Sequence, residues 1–390
     1  MKIGVASCSA TDGSVIEHRA TITVDGLERP LYFKLSNAEG LLAHAKPHPE
    51  AFLLAMLMPA MERGVDIECQ EPIDEELLYS LNTQLIPLLC SYHAKLTVIR
   101  VKAPAKTRGR ADQVESGHLS VLAMSCGLDA LTAYAELTQP ETPSWMRPQA
   151  FMMNNIGAFG KGPAKYAHDL ELVQRFAADR GLPLFQVASN MSEFYAGKYD
   201  QSHSFRNAAA AWALGDACRR VTLASGMEYK VMQNIVGRTD LAYRDPVILP
   251  MLSTSALEVY SSGCQHSRSA KFEIWLSRPE LHPYLNTCLR STDRKGGYIN
   301  CGTCKKCAEL LLRAEALNRM PQMEKVFNVK AFRSQRWYQQ YKVVYNAFKR
   351  APSANSVDTL DFLRRHRGRV SGSAYLLGRV VAAGRRAFSF

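Results

Sequence analysis

No part of the 390-residue chain approaches the roughly 18–20 consecutive apolar positions that a membrane span needs. The greasiest stretch, "AFLLAMLMPAM" at 51–61, is too short and contains Pro59. The opening "MKIGVASCSATDGS" has no long apolar core and meets Asp12 early, so no export signal is expected and a cytoplasmic protein is predicted. Internal repeats and low-complexity tracts are missing as well. There is no Gly-Lys-Ser/Thr phosphate loop and no G-x-G-x-x-G, which sets aside the Walker and dinucleotide-binding readings. Acidic residues almost vanish after Lys330: Asp358 and Asp361 stand against 12 Lys and Arg, so +10 of the net +12 lies in residues 331–390. The basic balance therefore belongs to a tail and says nothing of the main body.

What is present is the composition of a globular protein, 47% hydrophobic and 22% charged, in a chain long enough for two or more domains. Residues 1–103 read as an α+β unit. "KIGVASC", "ATITVDG" and "LYFKLS" are expected strands, with "VDG" a turn. Helix is expected on either side of the prolines in 37–64, and "DEELLYSLNTQLIPLLCSYH" spaces its apolar residues as an amphipathic helix does. "KLTVIRVKA" alternates like a closing strand. Residues 104–117 are polar and aperiodic, the expected linker.

From 118 to 287 the rhythm becomes strand–helix–strand. "HLSVLAM" leads to a helix at 129–137, "QAFMMNNI" to one at 164–181 and "PLFQVASNM" to one at 204–218; "RVTLASG" and "DPVILPML" follow as strands. Such alternation predicts a parallel sheet, with ligands at the C-terminal ends of its strands. The turns of interest are "SCGLD" at 125–129, "SNMSEFY" at 189–195 and "ASGMEY" at 224–229.

Ten cysteines in a large chain without an export signal do not predict disulfides. Six are scattered; Cys288, Cys301, Cys304 and Cys307 form a C-x12-C-x2-C-x2-C array within 288–330. Four thiolates close a tetrahedral zinc shell, and the two-residue spacing brings neighbouring sulfurs to one ion through a tight turn, here at Gly302. Cys307 opens a helix with a stripe of Leu310, Leu311, Ala314 and Leu317. With four sulfurs the shell has no open position for water, so a structural zinc is expected; an iron–sulfur cluster and plain thiols are the rivals.

Ser125, Cys126, Gly127, Asp129 and Ala130 lie between a strand and a helix, where hydroxyl and backbone donors meet an anion at the helix N-terminus. The turn resembles Ser-Gly-Gly-x-Asp-Ser, the pyrophosphate loop (PP-loop) of the ATP pyrophosphatase superfamily, with Cys126 and Ala130 departing from that pattern. With the array, "HSFRN" at 203–207, "LASG" at 223–226 and "SRSAKFEIW" at 267–275, the chain resembles the 7-cyano-7-deazaguanine synthase group over roughly 118–320. The resemblance implies an α/β fold, a parallel-sheet PP-loop ATPase domain of the adenine nucleotide alpha hydrolase type, flanked by the N-terminal α+β domain and a zinc-bearing helical element. It implies ATP as substrate, Mg²⁺, adenylation of a carboxylate or carbonyl oxygen with release of pyrophosphate, attack by nitrogen, and a homodimer. Ser125, Cys126, Gly127, Asp129, Ala130 and Gly226 would then bind nucleotide. Asp129, Arg206 and Lys271 would act in catalysis, and His203 and Arg268 would contact a deazapurine or other carboxylate substrate.

Rival readings attach to the same residues. "AMSCG" approximates a nucleophile elbow, which would make Ser125 the nucleophile of an α/β-hydrolase with His266 or His282 as base. Cys126 at a helix start is a second nucleophile candidate. A nucleotide-binding or scaffold protein without turnover is the reading that the missing hydroxyl at 130 favours. The tail, 331–390, would either be a solvated docking segment or bind a polyanion or an anionic membrane surface, with Gly378 and Gly384 weakening its helix. Its removal is expected to leave the enzymatic body intact.

Overall fold

The computed structural model describes residues 1–11, 15–36, 40–42, 46–107, 119–156, 162–232, 239–288 and 297–387. Strands β1 (Lys2–Ile3), β2 (Ser7–Thr11), β3 (Val15–Val24) and β4 (Leu27–Ser36) begin the chain. The turn between β3 and β4 sits on Asp25 and Gly26 with φ of 52° and 77°, the left-handed pair that a two-residue hairpin needs. Helix α1 (Pro49–Arg63) starts on a proline, is buried from Glu50 to Met61, and stops at Gly64 in the left-handed region. Then come β5 (Ile67–Cys69), β6 (Ile73–Asp74), α2 (Glu75–Ser80), a π-helical turn at Leu81–Leu85, α3 (Ile86–Tyr92), β7 (Val101–Lys102) and β8 (Ala105–Lys106). Of the alternating "KLTVIRVKA" only Val101–Lys102 pairs as a strand.

The second part alternates as expected: β9 (Leu119–Ala123), α4 (Leu128–Leu137), β10 (Ala150–Asn154), α5 (Gly162–Arg180), β11 (Leu184–Ser189), α6 (His203–Ala213) and β12 (Cys218–Ala224). The expectation fails at "DPVILPML", which is helix α7 (Asp245–Met251) with Pro246 in its first turn, where a missing N–H costs nothing. The last strand is instead β13 (Glu258–Ser262), an "EVYSS" run too short and too polar to stand out. Helices α8 (Arg268–Leu276), α9 (Lys305–Ala316), α10 (Met320–Met323), α11 (Val329–Ser334), α12 (Arg336–Phe348), α13 (Ala354–Arg365) and α14 (Gly372–Ala387) complete the chain.

The main sheet runs β13-β12-β9-β10-β11-β4-β3-β1-β5-β7, with β2 also on β3. Strands β9 to β13 are mutually parallel. The first of them, β9, is the middle one: the chain steps outward through β10 and β11, then returns to the other side for β12 and β13. The strand order therefore reverses at β9, the topological switch point where α/β sheets form a crevice. The expected linker, 104–117, lies outside the described residues from 108 onward, and its described start is not aperiodic, since β8 pairs there with β6. On either side of it the two units are continuous, because β4 pairs antiparallel with β11 and Phe33 and Leu54 share one core with Phe205 and Trp212.

The segment 331–390 is not a solvated tail: its described part folds as α11–α14, with Phe332, Val344 and Phe362 fully buried. Phe332 joins Phe151, Phe176, Trp275 and Leu311 in the second core, as do Val343 and Leu363. Gly378 strengthens the packing rather than weakening it. A Cβ there would lie 2.8 Å from Val344, so only glycine lets α14 approach α12 this closely. Basic charge and buried apolar residues are thus carried on opposite faces of the same helices, which a net charge does not reveal.

Candidate functional site

The "SCGLD" turn leaves β9 at the switch point and enters α4. Cys126 holds φ 53°, and its backbone carbonyl accepts from the Asn286 amide at 2.7 Å. Gly127 caps α4, and its N–H donates to Ser125 Oγ at 3.3 Å. The first amides of α4 have no acceptor within the helix. A cleft of about 980 Å³ lies there, lined by Ser125, Gly127, Asp129 and Ala130 together with the C-terminal ends of β9–β12.

The cleft is rich in cations. Asp129 Oδ2 accepts from the Arg268 guanidinium, and Oδ1 lies 3.2 Å from Lys271 Nζ, which also donates to the Ser225 carbonyl at 2.5 Å. Burial alone would raise the Asp129 carboxyl, but Arg268 and Lys271 outweigh it and hold the group well below the usual carboxylate range. Burial and the neighbouring Arg268 bring the Lys306 ammonium, at the start of α9, down to about 8. On another wall Lys165 pairs with Asp169, whose other oxygen accepts from Asn286 Nδ2 at 2.8 Å.

Arg206, on α6, is buried and lies 3.8 Å above the Tyr195 ring. Its Nε donates to Ser202 Oγ at 2.8 Å and its Nη1 to Ser192 Oγ at 3.1 Å. No ion pair to it occurs among the described residues. A buried guanidinium on the cleft wall, held by hydroxyls and an aromatic face, keeps its charge available to an anion.

The four cysteines form a second centre beside the cleft. Their sulfurs all lie within 4.8 Å of one another; Cys304 and Cys307 are 3.3 Å apart and Cys301 and Cys307 4.0 Å. A tetrahedral shell with Zn–S near 2.3 Å sets sulfurs about 3.8 Å apart. The cluster therefore has the donors and spacing to hold a metal ion such as zinc. Gly302 makes the turn at φ 76°, where a Cβ would come within 2.2 Å of the Asn328 carbonyl. The fully buried Asn300 closes the assembly: its Nδ2 donates to the Leu285 carbonyl at 2.7 Å and its Oδ1 accepts from the Thr287 amide at 2.9 Å. Cys288 and Thr287 themselves line the cleft.

Of the residues singled out in sequence, Ser125, Gly127, Asp129, Ala130, Arg206 and Arg268 line one cleft, with Lys271 behind Asp129. Three do not reach it. The Cys126 side chain points into the second core and burial pushes its thiol up, which removes it as a nucleophile and leaves only its backbone at the turn. His203 is held by Asp245 at 3.5 Å and by the Asp200 carbonyl at 3.2 Å. Gly226 lies beyond the cleft lining, near Ala242. The elbow reading loses its base as well: His266 is bound to Glu136, and His282 packs on Trp275 at 4.3 Å between ring centres, neither on the cleft wall. Sequence reasoning missed Lys165, Asp169, Asn286 and Lys306. Only Lys306 carries a local signal, its place beside Cys307 at a helix start. Tyr195 and Ser192 do lie in the "SNMSEFY" turn expected at a strand end.

Together these features define the class: an α/β protein with a largely parallel central sheet, a cation-lined cleft at the switch point and an adjoining cluster of four cysteines that could hold a metal ion. No family model, curated protein or solved structure matches the chain. Among the described residues no helix is long and apolar enough to cross a membrane.

Proposed function

We propose that the chain is an ATP-dependent enzyme of the PP-loop type, similar to 7-cyano-7-deazaguanine synthases, which adenylates a carboxylate or carbonyl oxygen and releases pyrophosphate. The observation that carries this reading is the placement of Ser125–Gly127: the turn heads a helix at the switch point and opens on a cleft lined by Lys165, Arg206, Arg268 and Lys306. A volume of about 980 Å³ has room for a nucleotide and a second substrate.

In this reading the first amides of α4 and the Ser125 hydroxyl receive the leaving pyrophosphate, and Arg268 and Lys271 supply compensating charge. An arriving polyphosphate competes with Asp129 for those two cations. Asp129 offers the hard carboxylate oxygen that Mg²⁺ prefers and would hold the ion, whose charge offsets that of the departing phosphates. Arg206 on Tyr195 orients the carboxylate of the acceptor, and a nitrogen nucleophile then displaces AMP. The four-cysteine cluster is a structural zinc site that holds the Asn286–Cys288 wall. A nucleotide-binding protein without turnover is the second reading, favoured by the apolar, buried Ala130 where the loop pattern has a hydroxyl.

Isothermal titration with ATP–Mg²⁺, followed by pyrophosphate release with 7-carboxy-7-deazaguanine and ammonia, tests both. Binding with release that Ser125→Ala cuts at least about tenfold supports the enzyme. Binding without release supports the second reading, and no ATP binding ends both.

A further inference from the structure

Helix α14 is built inside out. Small residues, Ala374, Gly378 and Ala382, face α12, while the large apolar residues face solvent. Leu376 is 66% exposed, Leu377 43% and Val380 58%. An ordinary surface helix puts such residues toward the core. The apolar face continues onto α12. Trp337, 42% exposed, donates to Ser373 Oγ at 2.9 Å, one turn before Leu377, and Tyr338 beside it is 46% exposed. Arg379 lies over Phe348 at 5.0 Å, and Arg385 donates to the Tyr345 hydroxyl at 3.2 Å, so arginines flank the same helix pair.

We propose that the α12–α14 face docks on an anionic lipid bilayer, lying in the headgroup interface. Charge and apolarity together select this occupant. Nucleic acid satisfies arginine but offers nothing to an exposed leucine and valine. A second copy across a two-fold axis would satisfy the apolar residues but bring the +10 of residues 331–390 against another +10. An anionic bilayer satisfies both, with Leu376, Leu377 and Val380 at the acyl boundary, Trp337 and Tyr338 at headgroup level and arginines on phosphate. Each basic residue that reaches such a surface strengthens binding about fivefold.

Flotation of the full chain with vesicles tests this, using phosphatidylcholine alone and a roughly 7:3 phosphatidylcholine–phosphatidylserine mixture. The chain is expected to float with the mixture, to lose binding as salt rises, and to ignore the neutral vesicles. Leu376→Gln with Val380→Gln should weaken binding about tenfold or more without changing the melting temperature, since both side chains are in solvent. Leu376→Trp, which keeps the apolarity, should bind like the unchanged chain. Equal binding by the double glutamine variant would mean that charge alone acts and would overturn the proposal. So would failure of the unchanged chain to float, or a dimer that the same variant dissolves without any vesicle binding.

Discussion

Asp129→Asn removes the carboxylate charge that Arg268 and Lys271 share. At 3.2 Å and an effective dielectric of about 20, the Lys271 attraction alone is about 5 kcal/mol before desolvation is counted. Removing one partner of a buried pair costs about 3–5 kcal/mol net, because the remaining charge stays buried. Lys271 is 1% exposed and would keep the Ser225 carbonyl, while Asp129 is 22% exposed and the asparagine carbonyl oxygen still accepts. The expected loss is therefore near the lower end, about 3 kcal/mol, read as a drop of several degrees in melting temperature.

The pH dependence follows with a fixed sign. The Asp129 carboxyl is depressed in the folded chain, so its contribution is fully present above the unfolded value of about 4 and is lost as pH falls below it. The gap between unchanged chain and variant should be constant from about pH 5 to 7 and should narrow toward pH 3. Freed cations should also bind anions better. Pyrophosphate at about 100 times its Kd restores about 2.7 kcal/mol, so it should return most of the variant's lost stability even where turnover is gone. Thermal denaturation at several pH values, with and without pyrophosphate, reads all three effects. A variant as stable as the unchanged chain, or one indifferent to pyrophosphate, would refute the reasoning.

Elemental analysis should find about one zinc per chain, and Cys304→Ser should abolish it and lower the melting temperature; metal-free protein of unchanged stability would remove the structural role. Asp358→Ala should cost about 3–5 kcal/mol, measured by urea unfolding, because Arg313 is fully buried and its Nη2 donates to Asp358 at 2.8 Å. A loss under 1 kcal/mol would show that the remaining contacts of Arg313, to Ser269 Oγ and the Glu309 and Asn355 carbonyls, satisfy it.

Legibility in the sequence followed the range of the forces involved. The β9–β12 alternation, the SCGLD turn and the cysteine array are local: periodicity, turn chemistry and ligand spacing are each written within a dozen or so residues. What failed depended on distant partners. The sheet joins its two halves through Val187 against Leu35, a pairing no local pattern encodes. "DPVILPML" has the apolar content of a buried strand, and Pro246 was the sole sign of a helix start. Residues 331–390 read as charge because Phe332, Val344 and Phe362 are spaced among arginines whose side chains take the outer face. Lys165 and Asp169 look like any i,i+4 surface pair until Asn286 closes on them.

Those distant contacts also show why the C-terminal helices cannot be separated from the cleft, as a removable tail would be. Asp358 of α13 accepts from the Ser269 amide at 2.9 Å and from Arg313, tying α13 to α8 and α9 at once. Helix α8 carries Arg268 and Lys271; α9 carries Lys306 and Cys307. From the cysteines the chain of contacts runs through Asn300 to Thr287, and the neighbouring Asn286 amide reaches the Cys126 carbonyl in the loop. Truncation after Lys330 would remove Asp358 and Asn355 together with the helices that cover α8 and α9, so Arg313 would lose its partners and the cations of the cleft their support. The four cysteines sit at the other end of the same bracket. In the proposed enzyme a metal held there would need no open coordination position to matter to the chemistry, because it would fix the wall on which the loop rests.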